Sequence, residues 1–148
     1  MKKRIDESFW MYRAIEIAKR NSLKSTLPIS SILVNDNFEI GIGVNFKDKI
    51  KINTNHSEAN AIKQALFYSS NTQLKNSTIY TTLEPCLMCT ALILSLKIKS
   101  IIFSTYRNKK ISLQYKYTYK KHSITGGVLN NNNKKIIANY FIGKRKSN

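Results

Sequence analysis

The chain has 148 residues, 42% of them hydrophobic, and sets 25 Lys plus Arg against 8 Asp plus Glu for a formal net charge of +17. That length and apolar content predict one compact domain over residues 1–148 and exclude both a short peptide and a multi-domain assembly. The basic start at Met1-Lys2-Lys3-Arg4 is followed at once by Asp6 and Glu7 with no apolar h-region, and the longest strongly apolar stretch, Ala91 to Leu96, is far short of the roughly 20 residues of a membrane span. A soluble, cytoplasmic protein with no membrane partner is expected.

In chain order, apolar residues at Phe9, Trp10, Ile15, Ile17 and Ala18 alternate in helical rhythm with Arg13, Glu16, Lys19 and Arg20, predicting a first helix over 7–21. Residues 29–34 and 38–44 are β-rich runs separated by Asn35-Asp36-Asn37, which reads as a hairpin turn. A polar loop leads to Asn55, and 56–68 has helical composition. A strand is expected over 78–83, then a helix with Pro85 in its first turn that continues from Cys86 to Leu96, then a strand over 100–104. Residues 106–121 are basic and Tyr-rich, with Tyr115, Tyr117 and Tyr119 alternating, and read as a loop with short elements. A short strand at Ile124-Thr125, a break at Gly126-Gly127 and a terminal helix over 134–144 complete the order. Strands and helices mixed in this way predict a three-layer α/β/α fold with a central mixed sheet of about five strands.

The charge is unevenly distributed. After Glu84 there is no acidic residue, while Lys97, Lys99, Arg107, Lys109, Lys110 and further cations follow. Such a field suits a polyanion, and nucleic acid is the natural partner. The duller reading is a compositional bias toward Lys, Asn and Ile, as the run Asn130 to Asn133 before Lys134-Lys135 suggests.

The two cysteines, Cys86 and Cys89, are too close for an ordinary stapling disulfide and have the spacing of metal or redox sites. In the first turn of a helix, positions i and i+3 share a face, so both sulfurs reach one ion, and the helix N-terminus favours the thiolate. His56, opening another helix, is the candidate third ligand. Three protein ligands leave a fourth tetrahedral position for water, the arrangement of a catalytic zinc. Glu58 stands about 200° around a regular helix from His56, so it is expected to reach that water rather than share the ion. There it takes a proton and returns it to a departing amine, as general base and acid. The backbone N–H groups near Ser57 and Cys86 are candidates to steady the developing charge. A lone His is more often a helix-start or surface residue, and a lone Cys-x-x-Cys more often half of a structural site. A closed two-Cys, two-His zinc would recruit His122, the only other histidine.

His56-Ser57-Glu58 together with Thr82-Leu83-Glu84-Pro85-Cys86-Leu87-Met88-Cys89 resembles the cytidine deaminase-like superfamily. Phe9-Trp10-Met11, Ala18-Lys19-Arg20, Pro28, Gly43-Val44-Asn45, Gly127-Val128-Leu129 and Tyr140-Phe141 look most like its bacterial tRNA-specific adenosine deaminases, over about Phe9 to Arg145. The resemblance implies the cytidine deaminase-like fold, one Zn2+ per subunit with a bound water, a homodimer, and hydrolysis of adenosine to inosine at the wobble position of a tRNA anticodon loop. It implies His56, Cys86 and Cys89 as metal ligands and Glu58 as the catalytic proton carrier. It also implies substrate contacts from Asn45 to the base or ribose, a pocket lined by Ile29 and Leu83 near Ser57, stacking by Phe141, and phosphate contacts from Lys144 and Arg145. The chain departs from the family after Phe103: in place of a Gly-rich segment with an Arg-Asp pair stands Ser104-Thr105-Tyr106-Arg107-Asn108, with Arg107 replacing the Asp. Ser30 stands where the family often has Gly. Arg107 and Lys109 then grip phosphate by charge in this reading. Two alternatives stay open: a deaminase of a free base or nucleoside of cytosine or guanine type, and a non-catalytic zinc module that binds nucleic acid.

Overall fold

The computed structural model describes residues 6–22, 26–46, 55–107 and 122–146, with side chains up to residue 143. Helix α1 (Glu7–Ser22) precedes strands β1 (Ser30–Asn35) and β2 (Phe38–Val44). Helices α2 (Ser57–Tyr68) and α3 (Asn71–Lys75), strand β3 (Thr78–Leu83), helix α4 (Leu87–Ser95), strands β4 (Ser100–Thr105) and β5 (Ser123–Gly126), and helix α5 (Asn130–Lys146) follow. The strands form one five-stranded mixed sheet in the order β2-β1-β3-β4-β5. Strand β1 pairs antiparallel with β2 and β3, while β3, β4 and β5 run parallel. The expected three-layer architecture is the observed one.

Alternation along the strands sends successive side chains to opposite faces. On one face, Trp10, Met11, Ala14 and Ile15 of α1 pack on Ile32, Val34, Tyr80 and Ile102, joined by Ile136 of α5. On the other, Ile62 and Ala65 of α2, Leu74 of α3 and Ile93 of α4 pack on Leu33, Ile79, Ile101 and Phe103. Every residue of β1 is buried, as expected of a strand covered on both faces.

Turn chemistry explains the joints. Asp36 and Asn37 both adopt positive φ, 48° and 65°, the pair of left-handed residues that a two-residue hairpin needs. Helix α4 ends with Lys97 at φ 57°, the Ile98 amide donating to Ile93 O at 3.2 Å and the Lys97 amide to Leu94 O at 3.0 Å. This is a Schellman closure, with Ile98 and Ile93 both buried in the same apolar cluster.

Several boundaries differ from the sequence reading. Helix α3 was not anticipated, because Asn71-Thr72-Gln73 carries no apolar rhythm. Its signal was Ser70 with Gln73, which form a reciprocal capping box. Helix α5 begins at Asn130 rather than residue 134, so the polar Asn run is helical. The reason is Asn133, fully buried, whose Nδ2 donates to Thr82 O and Thr105 Oγ1. Helix α4 begins at Leu87, leaving Pro85 and Cys86 outside it. The Tyr115, Tyr117 and Tyr119 alternation and Lys109 lie outside the described residues.

Glycine at two alternate positions of β2 lets α2 approach the sheet. A Cβ on Gly43 would meet the Ser57 carbonyl and the Ala61 amide, and one on Gly41 the Ala61 carbonyl. These are backbone atoms that cannot swing aside. Gly43→Ala is therefore expected to lower stability by about 1–3 kcal/mol through overpacking, read as a lower urea midpoint with an unchanged m-value.

Candidate metal centre

The site lies beyond the carboxyl end of β3, where the first turns of α2 and α4 meet. His56 is the N-cap of α2, extended at φ −77° and ψ 148°, and Cys86 is the N-cap of α4, extended at φ −75° and ψ 170°. Neither caps its helix with its own side chain, so both side chains are turned to the site. Cys89 follows in the first turn of α4 and is buried. His56 Nδ1 lies 3.4 Å from Cys86 Sγ and 3.4 Å from Cys89 Sγ.

All three ligand atoms fall within 4.8 Å of one another, and among the described residues they form the one such group of His, Cys, Asp or Glu. Tetrahedral zinc with bonds of about 2.0–2.3 Å separates its ligand atoms by roughly 3.5 Å. The nitrogen-to-sulfur spacings match that figure, and a donor set of one imidazole and two thiols is the chemistry zinc takes. The residues fit the metal.

Electrostatics favours the ionised ligand. The hydrogen bond from Cys89 pulls the Cys86 thiol down to about 4, with His56 adding to the effect. Cys89, the donor of that bond and also buried, is pushed up. Two helix N-termini directed at one place supply further positive potential.

Glu58 is only 2% exposed. Burial raises its carboxyl above the usual range, opposed by its own backbone amide and the Ser57 hydroxyl, while the Cys86 charge raises it further and His56 lowers it. The carboxyl also acts on Cys89, so it faces the cysteine pair. The helical angle of 200° from His56 does not apply, because His56 stands outside the helix with extended backbone.

Behind Glu58 runs a short hydroxyl chain missed in the sequence. Ser57 Oγ donates to Glu58 Oε2 at 3.0 Å and lies 2.8 Å from Ser31 Oγ, both serines being fully buried. With its own proton on the carboxylate, Ser57 accepts from Ser31. The only signal was a pair of serines in an otherwise apolar strand.

Ser57 is consequently a support for Glu58. Its amide donates to Asn45 Oδ1 at 2.8 Å, satisfying one of the free N–H groups at the start of α2, and so is not free to steady developing charge. Asn45, half-buried, thus holds α2, with Nδ2 as the other end of its amide. Ile29 is buried, and its carbonyl accepts from the Asn45 backbone N–H at 3.2 Å. Leu83 is half-buried at the end of β3. Phe141 is 48% exposed and edge-on to Tyr140, with ring centroids 5.5 Å apart. Lys144 and Arg145 belong to the last turn of α5, and their side chains lie outside the described residues. Arg107 turns toward Glu84, donating through Nε to Glu84 O at 2.6 Å.

His122 does not complete the site. Its Nδ1 is 3.0 Å from Ile98 O, at the amino ends of β4 and β5, whereas the cysteines lie past the carboxyl end of parallel β3. A closed site of two cysteines and two histidines is thereby excluded.

Residues 4–105 match the family described as the cytidine and deoxycytidylate deaminase zinc-binding region. The tRNA-specific adenosine deaminase of Buchnera aphidicola subsp. Schizaphis graminum is 33% identical, covering 94% of this chain and 96% of that protein. The Haemophilus influenzae protein of the same name is 32% identical over 95% and 86%. Among solved structures, one from work on A-to-I editing by tRNA:A34 deaminases at the wobble position of transfer RNA aligns at TM-score 0.75 and 22% identity, covering 88% of this chain and 99% of that one. Guanine deaminase from Nitrosomonas europaea aligns at TM-score 0.75 and 15% identity, covering 94% and 86%; at such identities the likeness is one of fold. With its zinc-region motifs matched across residues 4–105 and relatives above 30% identity over nearly the whole length, the chain belongs to the cytidine and deoxycytidylate deaminase family of zinc-binding proteins.

Proposed function

We propose that this protein hydrolyses adenosine to inosine at the wobble position of tRNA, with His56, Cys86 and Cys89 holding zinc and Glu58 carrying the proton. The observation that carries the chemistry is the buried Glu58 carboxyl facing the His-Cys-Cys group. His56, Cys86 and Cys89 would hold zinc, which would supply an activated water by lowering its pKa into the neutral range. Glu58 Oε2 is held by Ser57, and the carboxyl takes a proton from the nucleophile and delivers it to the exocyclic amine, which departs as ammonia. A carboxyl raised by burial holds a proton more tightly than an exposed one, which suits a group that must accept and then return it.

The substrate assignment draws on the curated relatives and on the acid-free stretch after Glu84. Asn45 Nδ2, Ile29 and Leu83 form the base-binding side of this reading. Exposed Phe141 offers a ring for stacking and Lys144 and Arg145 a charge for phosphate. A homodimer is part of the same proposal, with Leu87 and Met88 of α4 and Leu66 and Phe67 of α2 as exposed apolar residues available to it. The alternative is a free base such as guanine or cytosine in the same metal site. No described helix is long and apolar enough to cross a membrane.

Three outcomes are expected. Incubation with a tRNA carrying adenosine at the wobble position yields inosine there by nucleoside analysis, and absence of inosine with zinc bound contradicts the assignment. Glu58→Gln lowers kcat by at least about 100-fold, the scale of a lost general acid-base, while metal analysis finds the parent zinc content; loss of zinc would make Glu58 a structural residue. Raising salt weakens RNA binding with a slope of about −0.7 in log-log form per phosphate engaged on a single strand, whereas salt-insensitive turnover of free bases points to the alternative.

A further inference from the structure

The turn that delivers Cys86 to the site is three residues long, Glu84-Pro85-Cys86, and its first residue is held at every polar group of its backbone. The Glu84 amide donates to Thr105 O at 2.8 Å. Its carbonyl accepts from Arg107 Nε at 2.6 Å, and its carboxylate Oε2 accepts from the Arg107 amide at 2.9 Å. Glu84 itself is only 7% exposed. Immediately upstream, Thr82 O is held by Asn133 from α5. Downstream, Pro85 fixes its own φ near −65°, so few free torsions remain between the Glu84 carbonyl and the Cys86 sulfur.

We infer that Arg107 is a positioning residue for the metal ligand Cys86, clamping the Glu84 carbonyl through its guanidinium, and not a contact to the phosphates of the substrate. The inference rests on the zinc reading above. The carbonyl needs a donor aimed along one direction. A planar guanidinium presents Nε–H in a fixed fork, while a lysine ammonium is a hydrated point charge on a flexible stem. An aspartate, the residue the resemblance places here, has no side-chain donor for a carbonyl when ionised, so the contact belongs to this chain. Outer contacts that orient a ligand are commonly worth about 10–100-fold in metal affinity or activity.

The test compares the zinc-loaded parent protein with R107A and R107K. Zinc release to a chromogenic chelator, without RNA, is expected to quicken by about tenfold or more in both variants. The thiolate-to-metal charge-transfer band of the cobalt-substituted protein shifts in both, a signature of altered Cys86 placement that loss of general stability does not produce. Binding of an anticodon-stem hairpin keeps its parent salt slope. Lysine does not rescue, because the missing feature is direction and not charge. Parent release rates with an unchanged band overturn the inference. So does RNA binding weakened in R107A, with a salt slope smaller by about 0.7, and restored in R107K, the pattern of a phosphate contact. If R107A does not fold, R107K decides alone. A parent protein that retains zinc but forms no inosine defeats the functional proposal and leaves the release and spectral arms to judge Arg107; a parent that binds no zinc defeats both.

Discussion

Two helix N-termini brought together past the carboxyl end of β3 are the constraint on which the rest of this molecule depends. His56 opens α2 and Cys86 opens α4, each as an N-cap with extended backbone and a side chain that leaves its own helix unsatisfied. That local cost places one imidazole nitrogen 3.4 Å from two sulfurs, in the positive potential of two helix starts. The packing elsewhere maintains the convergence. Gly41 and Gly43 give up their side chains so that α2 can lie against β2, and Asn45 takes over part of the capping that His56 does not perform.

The neighbouring polar contacts divide the same work. Ser31 and Ser57 orient the Glu58 carboxylate, Asn133 ties α5 to the exit of β3, and Arg107 ties that exit to the end of β4. Buried hydrogen bonds of this kind set geometry more than they add net stability, since each replaces a bond to water in the unfolded chain. Hydrolytic chemistry at a metal needs such rigidity, because ligand, water and proton carrier must coincide within a fraction of an ångström.

Much of this was legible in the sequence. Period-2 and period-3.6 patterns located α1, the hairpin, β3 and β4, because those segments bury one face or both in the core. The His56, Cys86 and Cys89 group was legible because few residue types do this chemistry and their spacing is restrictive. The support around them was not. Ser31, Asn133 and the Ser57 hydroxyl act through contacts between elements far apart in the chain, which no local pattern records. Asn133 was further hidden in a run of identical residues. Arg107 was read as a phosphate grip from its charge, whereas the structure turns its Nε onto a backbone carbonyl. The helix starts were missed by one residue at His56 and by two at Cys86, and that shift decides whether a side chain lies along its helix or across to the site.

The central claim is that three protein ligands hold the metal and leave one position open. X-ray absorption at the zinc edge of the purified, metal-replete protein tests it most directly. The account predicts two sulfur and two lighter scatterers, with one histidine signature and a light ligand that exchanges with solvent. Four protein ligands with no exchangeable position, or a sulfur count other than two, would contradict it.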